Sequence, residues 1–321
     1  MKLNVIVPVS LHEPLYVIAK SFESLSRLER PAMDVRITYV IDSLDDDDRV
    51  KYLQDQPIDV IIRKPRGRKA GAINDVLETV KADYIAFFDV DSRPDKNFLV
   101  ECATSLEKEG AVIASAPKYV TNPDASIISK IISAEYLLIS DLYRLLDKMD
   151  GFKQFNGLIG VLDARIFDSI KFDETAICED VDLTQQIYLK GKIAVLANTL
   201  VGEQAPMTLK DIFNQRVRWI SGAFEGLKYF REFCRAKIPF SRKITWFSAM
   251  MLPFFVFMAS PLVPSYSMRL WRSSDGLKDF TIKLLGLIVD AWIIWLCALV
   301  SLSKKLLHIQ VKWKKTARYR V

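Results

Sequence analysis

From Ile244 to Met268 the chain runs for 25 residues without a charged side chain, and a second apolar stretch, Leu284 to Ser303, holds Asp290 as its one charge. Twenty helical residues rise about 30 Å, the thickness of a bilayer's hydrocarbon core. Trp246–Ser265 and Leu284–Ser303 therefore read as a pair of membrane helices, with two buried helices of a soluble core as the alternative. Pro253, Pro261 and Pro264 break a soluble helix, whereas a membrane helix tolerates kinks where neighbours satisfy the freed carbonyls. Asp290 at mid-membrane costs roughly 2.5–3.5 kcal/mol and so must face protein or a polar cavity. It either pairs with a polar group of the other helix or lines the path of an acceptor headgroup.

Charge fixes the expected orientation. Of the 45 basic residues, seven lie between Lys304 and Val321 (Lys304, Lys305, Lys312, Lys314, Lys315, Arg318, Arg320) with no acidic one, which leaves the rest of the chain 38 against 39. A basic flank faces the cytoplasm, and two spans return the preceding part to the same side. The expectation is a multi-pass protein of the cell membrane with its catalytic part cytoplasmic. Met1–Ser10 is too short, and too soon interrupted by His12 and Glu13, for a signal peptide. Four single cysteines and two histidines argue against a zinc site or a disulfide framework.

The N-terminal part alternates. Apolar, β-branched runs at Leu3–Val9, Val35–Ile41, Asp59–Ile62, Tyr84–Phe88 and Ala111–Ala116 read as buried strands. Helical patterns separate them at Glu13–Leu28, Gly71–Val80 and Asp95–Leu106. This predicts an α/β fold with a mostly parallel sheet and ligands at the carboxyl ends of its strands. Ser10–Glu13, Asp42 and Asp89–Asp91 fall on that rim. Ile127–Met149 carries an amphipathic stripe that either lies on a membrane or packs over the sheet. Asp45–Asp48 is an acidic turn opening a helix. The expected organisation is a catalytic domain over 1–205, an interfacial helical segment over 206–243, and the helix pair with its basic tail over 244–321.

Four motifs carry chemistry. Asp89-Val90-Asp91 ends an apolar strand, and on extended chain both carboxylates share a face, as suits Mg²⁺ or Mn²⁺ completed by substrate phosphates. Arg63, Lys64, Arg66, Arg68 and Lys69 precede a helix starting near Ala70, a favourable place for a diphosphate. The run is too short for nucleic acid, and the acidic rim repels a polyanion. Glu179 and Asp180 open a helix, either as plain capping groups or with Asp180 as a general base. After Pro206, a possible helix start, Gln215, Arg218 and Trp219 share one helical face: an amide, a fork of donors and a flat ring.

In that order, Asp42, Asp89-Val90-Asp91, Glu179-Asp180 and Gln215-Arg216-Val217-Arg218-Trp219 resemble the D, DxD, ED, QxxRW series of membrane-bound family 2 glycosyltransferases, the group of cellulose and hyaluronan synthases and ceramide glucosyltransferase. The resemblance spans about residues 3–226. It implies a GT-A, Rossmann-like domain that binds a nucleotide-diphosphate-sugar, most simply a UDP-sugar, with Mg²⁺ or Mn²⁺ and inverts the anomeric centre. It further implies that Ser10 and Glu13 flank the base, that Asp42 contacts base or ribose, and that Lys69 lies near the diphosphate. Asp89 and Asp91 are then nucleotide and metal ligands, Phe155-Asn156-Gly157 an acceptor segment and Asp180 the base beside Glu179. Gln215 shares the face on which Arg218 holds the diphosphate and Trp219 caps the acceptor. Two helices cannot enclose a polymer pore alone, so the expected acceptor is a membrane lipid rather than a growing glycan, unless several copies assemble. A processive synthase and an inactive nucleotide-sugar binder are the other readings.

Overall fold

The structure is a computed structural model that describes residues 1–44, 46–108 and 110–311, without the side chains of 259–262 and 265. Asp45 of the acidic turn and Lys312, Lys314, Lys315, Arg318 and Arg320 of the basic tail lie outside the described residues. In chain order the elements are β1 (Lys2–Val9), α1 (Leu15–Ser26), β2 (Asp34–Asp42), α2 (Asp48–Gln54), β3 (Asp59–Arg63), α3 (Arg68–Leu77), β4 (Tyr84–Phe87), β5 (Arg93–Pro94), α4 (Phe98–Ser105), β6 (Ala111–Ser115), β7 (Lys118–Val120) and α5 (Ile127–Lys148). There follow β8 (Gly160–Asp163), α6 (Glu179–Leu189), β9 (Ile193–Leu196), β10 (Val201–Glu203), α7 (Leu209–Gly226), α8 (Phe230–Arg235), α9 (Phe240–Phe255), α10 (Ser267–Arg272) and α11 (Gly276–Leu306).

The chain divides into two compact units. The first holds Met1–Pro117, Phe152–Glu203 and Arg235–Ile238; the second holds Lys118–Gly151, Gln204–Cys234 and the chain from Pro239 onward. Helix α5 thus belongs with the later helices rather than with the sheet.

In the first unit the apolar runs bury both faces of a seven-stranded sheet, in the order β3-β2-β1-β4-β8-β6-β9. β1 pairs in parallel with β2 and β4, as do β2 with β3 and β6 with β9. β8 is the exception, antiparallel to both β4 and β6. Its four residues are too few to show a period, so the sequence pattern passes over it. Because β8 runs the other way, Gly160 at its start lies opposite Phe87 at the carboxyl end of β4. The turn just before β8 is thereby delivered to the rim where the parallel strands end. A side chain at Gly160 would place Cβ 2.3 Å from the Ala114 carbonyl oxygen and 2.8 Å from the Phe155 ring. Gly160→Ala should therefore lower unfolding free energy by about 1–3 kcal/mol, the usual cost of overpacking, read as a shifted urea midpoint.

The second unit is helical. Ser126 caps α5 in a reciprocal pair with Ser129, and the first half of α5 is buried, Ile132 and Tyr136 packing with Val120, Ala205 and Ile212. Its second half leaves Leu142, Leu145 and Met149 exposed. Val217, Ile220 and Phe224 of α7 pack on Cys297 and Ala298 of α11, and Gly286 of α11 admits Ile131 of α5.

The predicted first membrane helix takes another form. Trp246–Ser265 is divided between α9 and a 3₁₀ segment, Val256–Tyr266. Prolines at 253, 261 and 264 supply no amide hydrogen for an α-helical ladder, and the tighter turn takes over. Trp246 is buried, stacked on Phe233 with ring centroids 4.1 Å apart. Among the described residues one helix, α11, is long and apolar enough to cross a membrane, with a mean hydropathy of 2.2 over its apolar window. The expected pair is met by one such helix among the described residues.

Candidate active site

The carboxylates of the rim are held in different ways. β4 ends at Phe87, so Asp89-Val90-Asp91 stands in a turn and not on extended chain. The Ser92 amide donates to the Asp89 carbonyl at 2.9 Å, and the Asp89 amide donates to Ser92 Oγ at 3.1 Å. The alternation expected of a strand therefore does not aim these side chains; the turn does. Asp91 is buried, whereas Asp89 is part-exposed.

Lys69 is the centre of the rim. Gly67, at φ 61°, and Arg68, at φ 54°, turn the chain into α3, whose first turn carries Lys69. Its Nζ donates to Asp89 Oδ1 at 2.5 Å and to the Gly157 carbonyl at 2.8 Å, and lies 4.0 Å from Glu179 Oε1. From the same residue, the Gly157 amide donates to Asp180 Oδ2 at 2.6 Å, while the Val181 amide donates to Asp180 Oδ1 at 2.9 Å. Gly157 sits at φ 67°, in the left-handed region that favours glycine. One residue thus joins the lysine that meets Asp89 to the carboxylate at the start of α6. Gln154 braces the same helix start, donating to the Asp180 carbonyl at 3.0 Å and to Thr184 Oγ1 at 2.9 Å. Asn156 is exposed, whereas Phe155 is buried in the core.

The charges of this cluster lean on one another. Burial works against the Lys69 charge, but Asp89, then Glu179 and Asp180, outweigh it and raise the ammonium above its ordinary 10.5. Burial likewise pushes the Glu179 carboxyl up, with Lys69 opposing and Asp180 adding to the push. A lysine whose folded value is raised gives stability that is complete below its unfolded value and is lost as pH climbs through the folded one. The stability gap between the wild type and Lys69→Met should accordingly narrow as pH rises past 10.5, measured as urea midpoints across an alkaline series. A constant gap would detach Lys69 from these carboxylates.

Two more cations of the basic run are spent elsewhere. Arg63 lies 3.4 Å from Asp42 Oδ1 and 3.2 Å from Asp75 Oδ2, and Arg66 pairs with Asp75 at 2.5 Å. Burial pushes the Asp42 carboxyl up against the pull of Arg63. Arg49 of α2, which no motif marks, ties the first loops together. It donates to the carbonyls of Ser10 at 2.9 Å, Glu13 at 3.3 Å and Asp42 at 3.0 Å, and is fixed by the Asp47 carboxylate. Ser10 Oγ donates to Glu13 Oε1 at 3.4 Å. The three residues expected around a base are thus held by one guanidinium.

Gln215, Arg218 and Trp219 stand on α7 of the second unit and are part-buried. The helix starts at Leu209, capped by the Thr208 side chain, not at Pro206. Between them Arg216, which falls in an unassigned position of the motif, is buried, bonds Glu135 of α5 and lies 4.9 Å from the centre of the Trp219 ring. The Asp290 carboxylate of α11, also buried, feels the attraction of the same guanidinium, while its Oδ1 accepts no hydrogen bond.

Among the described residues no three histidine, cysteine or carboxylate groups gather as a metal cage. Asp89 and Asp91 are two hard oxygen donors, which fits an ion that takes one or two carboxylates and draws other ligands from a diphosphate.

A mixed sheet of this order, with carboxylates at its carboxyl rim, defines the GT-A class of transferases. In keeping with that, the mannosyltransferase PcManGT from Pyrobaculum calidifontis, solved with GDP-Man and Mn²⁺, shares the fold at a TM-score of 0.65 and 15% identity, over 96% of this chain and 88% of that one. S. aureus TarS 1–349, solved with UDP, does so at 0.52 and 17%, over 96% and 92%. Residues 84–303 match the profile of glycosyl transferase family group 2, and residues 5–162 that of glycosyl transferase family 2. The chain belongs to family 2 of the glycosyltransferases. The β-monoglucosyldiacylglycerol synthase of Synechocystis sp. is 25% identical over 80% of this chain and 55% of its own length. The cellulose synthase catalytic subunit of Xanthomonas axonopodis is 24% identical over 77% and 35%. The chain spans about half the length of the first of these curated relatives.

Proposed function

We propose that this glycosyltransferase moves a single sugar from a nucleotide-diphosphate-sugar to a hydroxyl of a membrane lipid, with inversion. The observation that carries the reading is the joining of Lys69, Asp89 and Asp180 through Gly157 at the carboxyl rim. In the proposed step the acceptor oxygen forms a bond to the anomeric carbon as the bond from that carbon to the diphosphate breaks. The acceptor proton passes to Asp180, and the electron pair leaves with the nucleotide diphosphate. Two backbone amides hold the Asp180 carboxylate so that its free lone pairs are aimed before substrate arrives. Lys69 brings positive charge beside the diphosphate, and motif resemblance assigns Arg218 the same task and Trp219 the acceptor. Asp91, with Asp89, would hold a Mg²⁺ or Mn²⁺ ion, which when bound offsets charge on the leaving group.

The relatives named as glucosyldiacylglycerol synthases favour a diacylglycerol-like acceptor. Those named as glucomannan mannosyltransferase and cellulose synthase favour a glycan instead. Purified protein given labelled UDP- and GDP-sugars with Mn²⁺ and a diacylglycerol should yield one sugar per lipid; a ladder of products would establish the processive reading, and no turnover the inactive binder.

A further inference from the structure

We infer that Arg49 is a positioning residue for the donor, one that sets the seat of the nucleotide base without itself touching the nucleotide. This role rests on the reading of Ser10, Glu13 and Asp42 as the residues around the base, and names what holds them there.

A guanidinium carries five N–H donors in a fixed, planar fork. In Arg49 all of them are taken within the protein. Nη1 donates to the Ser10 carbonyl at 2.9 Å and to the Glu13 carbonyl at 3.3 Å. Nη2 donates to the Asp42 carbonyl at 3.0 Å and to Asp47 Oδ2 at 2.5 Å, and Nε donates to Asp47 Oδ1 at 2.9 Å. The side chain is 11% exposed, so the fork is closed to a ligand on both counts. What it grips is backbone. Ser10 and Glu13 stand between β1 and α1, and Asp42 is the last residue of β2. β1 and β2 are parallel neighbours, Val9 facing Ile41, so both segments leave the sheet side by side at its carboxyl rim. Beyond the last strand residue no ladder fixes the path of a loop, and a rigid cation bonded to carbonyls at three points supplies that constraint.

Arg49 is itself braced. The Asp47 side chain caps α2, accepting from the Arg49 amide at 2.9 Å, and its two oxygens take one edge of the guanidinium as a fork that holds it in one orientation. Ser43 Oγ donates to Asp47 Oδ2 at 2.7 Å, and the Ser43 amide donates at 3.0 Å to the carbonyl of Arg63, the last residue of β3. The brace therefore starts at the end of β3 and, through Ser43, Asp47 and Arg49, reaches the ends of β2 and β1, in the order in which the three strands lie in the sheet. A lysine would keep the charge but offers three donors from one point, too few and too clustered for three carbonyls and a carboxylate. Charge alone is the competing role, since a cation at the rim also draws a diphosphate. Ligands that share the diphosphate and differ in the base separate the two.

The test uses the full chain, with calorimetric affinities in the presence of Mn²⁺ for inorganic pyrophosphate and for whichever of UDP and GDP the wild type binds the more tightly. Arg49→Lys should lower the nucleotide affinity by about tenfold, as contacts to the base lose alignment, and leave that for pyrophosphate, which has no base, within about twofold. Asp47→Asn keeps a good cap for α2 and loses the charged fork, so it should shift the same ratio in the same direction by about threefold or more. Equal losses for both ligands, the mark of a general loosening of the sheet, would overturn the inference. So would nucleotide binding at the wild-type level in Arg49→Lys, the mark of a pure charge effect. Asp42→Ala tests the reading beneath. Loss of the nucleotide's advantage there, with none in Arg49→Lys and Asp47→Asn, overturns the clamp and leaves the base seat standing; no loss in any of the three removes both.

Discussion

Replacing Asp180 by Asn should abolish sugar transfer while leaving the donor bound. The change is nearly isosteric and removes the lone-pair set that takes the acceptor proton in the proposed step, and loss of a general base slows transfer by about 10²–10⁴-fold. A structural cost accompanies it. Both carboxylate oxygens accept a backbone amide, from Gly157 and from Val181. An asparagine amide nitrogen cannot accept, so one of these donors loses its partner, at about 1–3 kcal/mol. Donor affinity by calorimetry, beside transfer of labelled sugar, separates the two effects. Full transfer by Asp180→Asn would remove the residue from the role and move attention to its neighbour Glu179.

Replacing Asp91 by Asn should act on binding, and only when metal is present. Asp91 is buried at the end of the turn after β4, while Asp89 is already engaged by Lys69 at 2.5 Å. Loss of a group that merely orients a ligand costs 10–100-fold in metal affinity, so loss of the ligand itself should weaken nucleotide-diphosphate binding with Mn²⁺ by at least about tenfold. Binding without metal should hardly change. Asp89→Asn should differ, because it also strips Lys69 of its nearest counter-charge and so lowers stability. Equal affinity of Asp91→Asn and wild type, with and without Mn²⁺, would sink the metal assignment.

The alternation of strands and helices was legible because each long buried strand is a continuous apolar run and each helix has a stripe. β1, β2 and β4 begin and end within a residue or so of their expected limits. Carboxylates at the ends of β2 and β4, and at the start of α6, were legible for the same reason. Less so were the partners. The cluster of cations before α3 reads as a phosphate site, yet Arg63 and Arg66 are taken by Asp42 and Asp75, and it is Lys69 that faces Asp89. Arg49 and Gln154 carried no signal, since each acts by donating to backbone carbonyls that every residue possesses.

Composition and spacing by themselves determined that this chain builds an α/β sheet with acidic groups along one edge, followed by strongly apolar helices. Only the tertiary structure decided how those groups are joined. The antiparallel insertion of β8 carries Gly157 to the edge, where its amide and carbonyl connect Asp180 to Lys69. The physical reason is that a four-residue strand leaves no periodic mark, and a peptide group offers the same donor and acceptor wherever it stands. The long apolar helix follows the same logic: hydropathy reports that α11 is apolar, but only its packing on α5 and α7 shows which of its sides is covered.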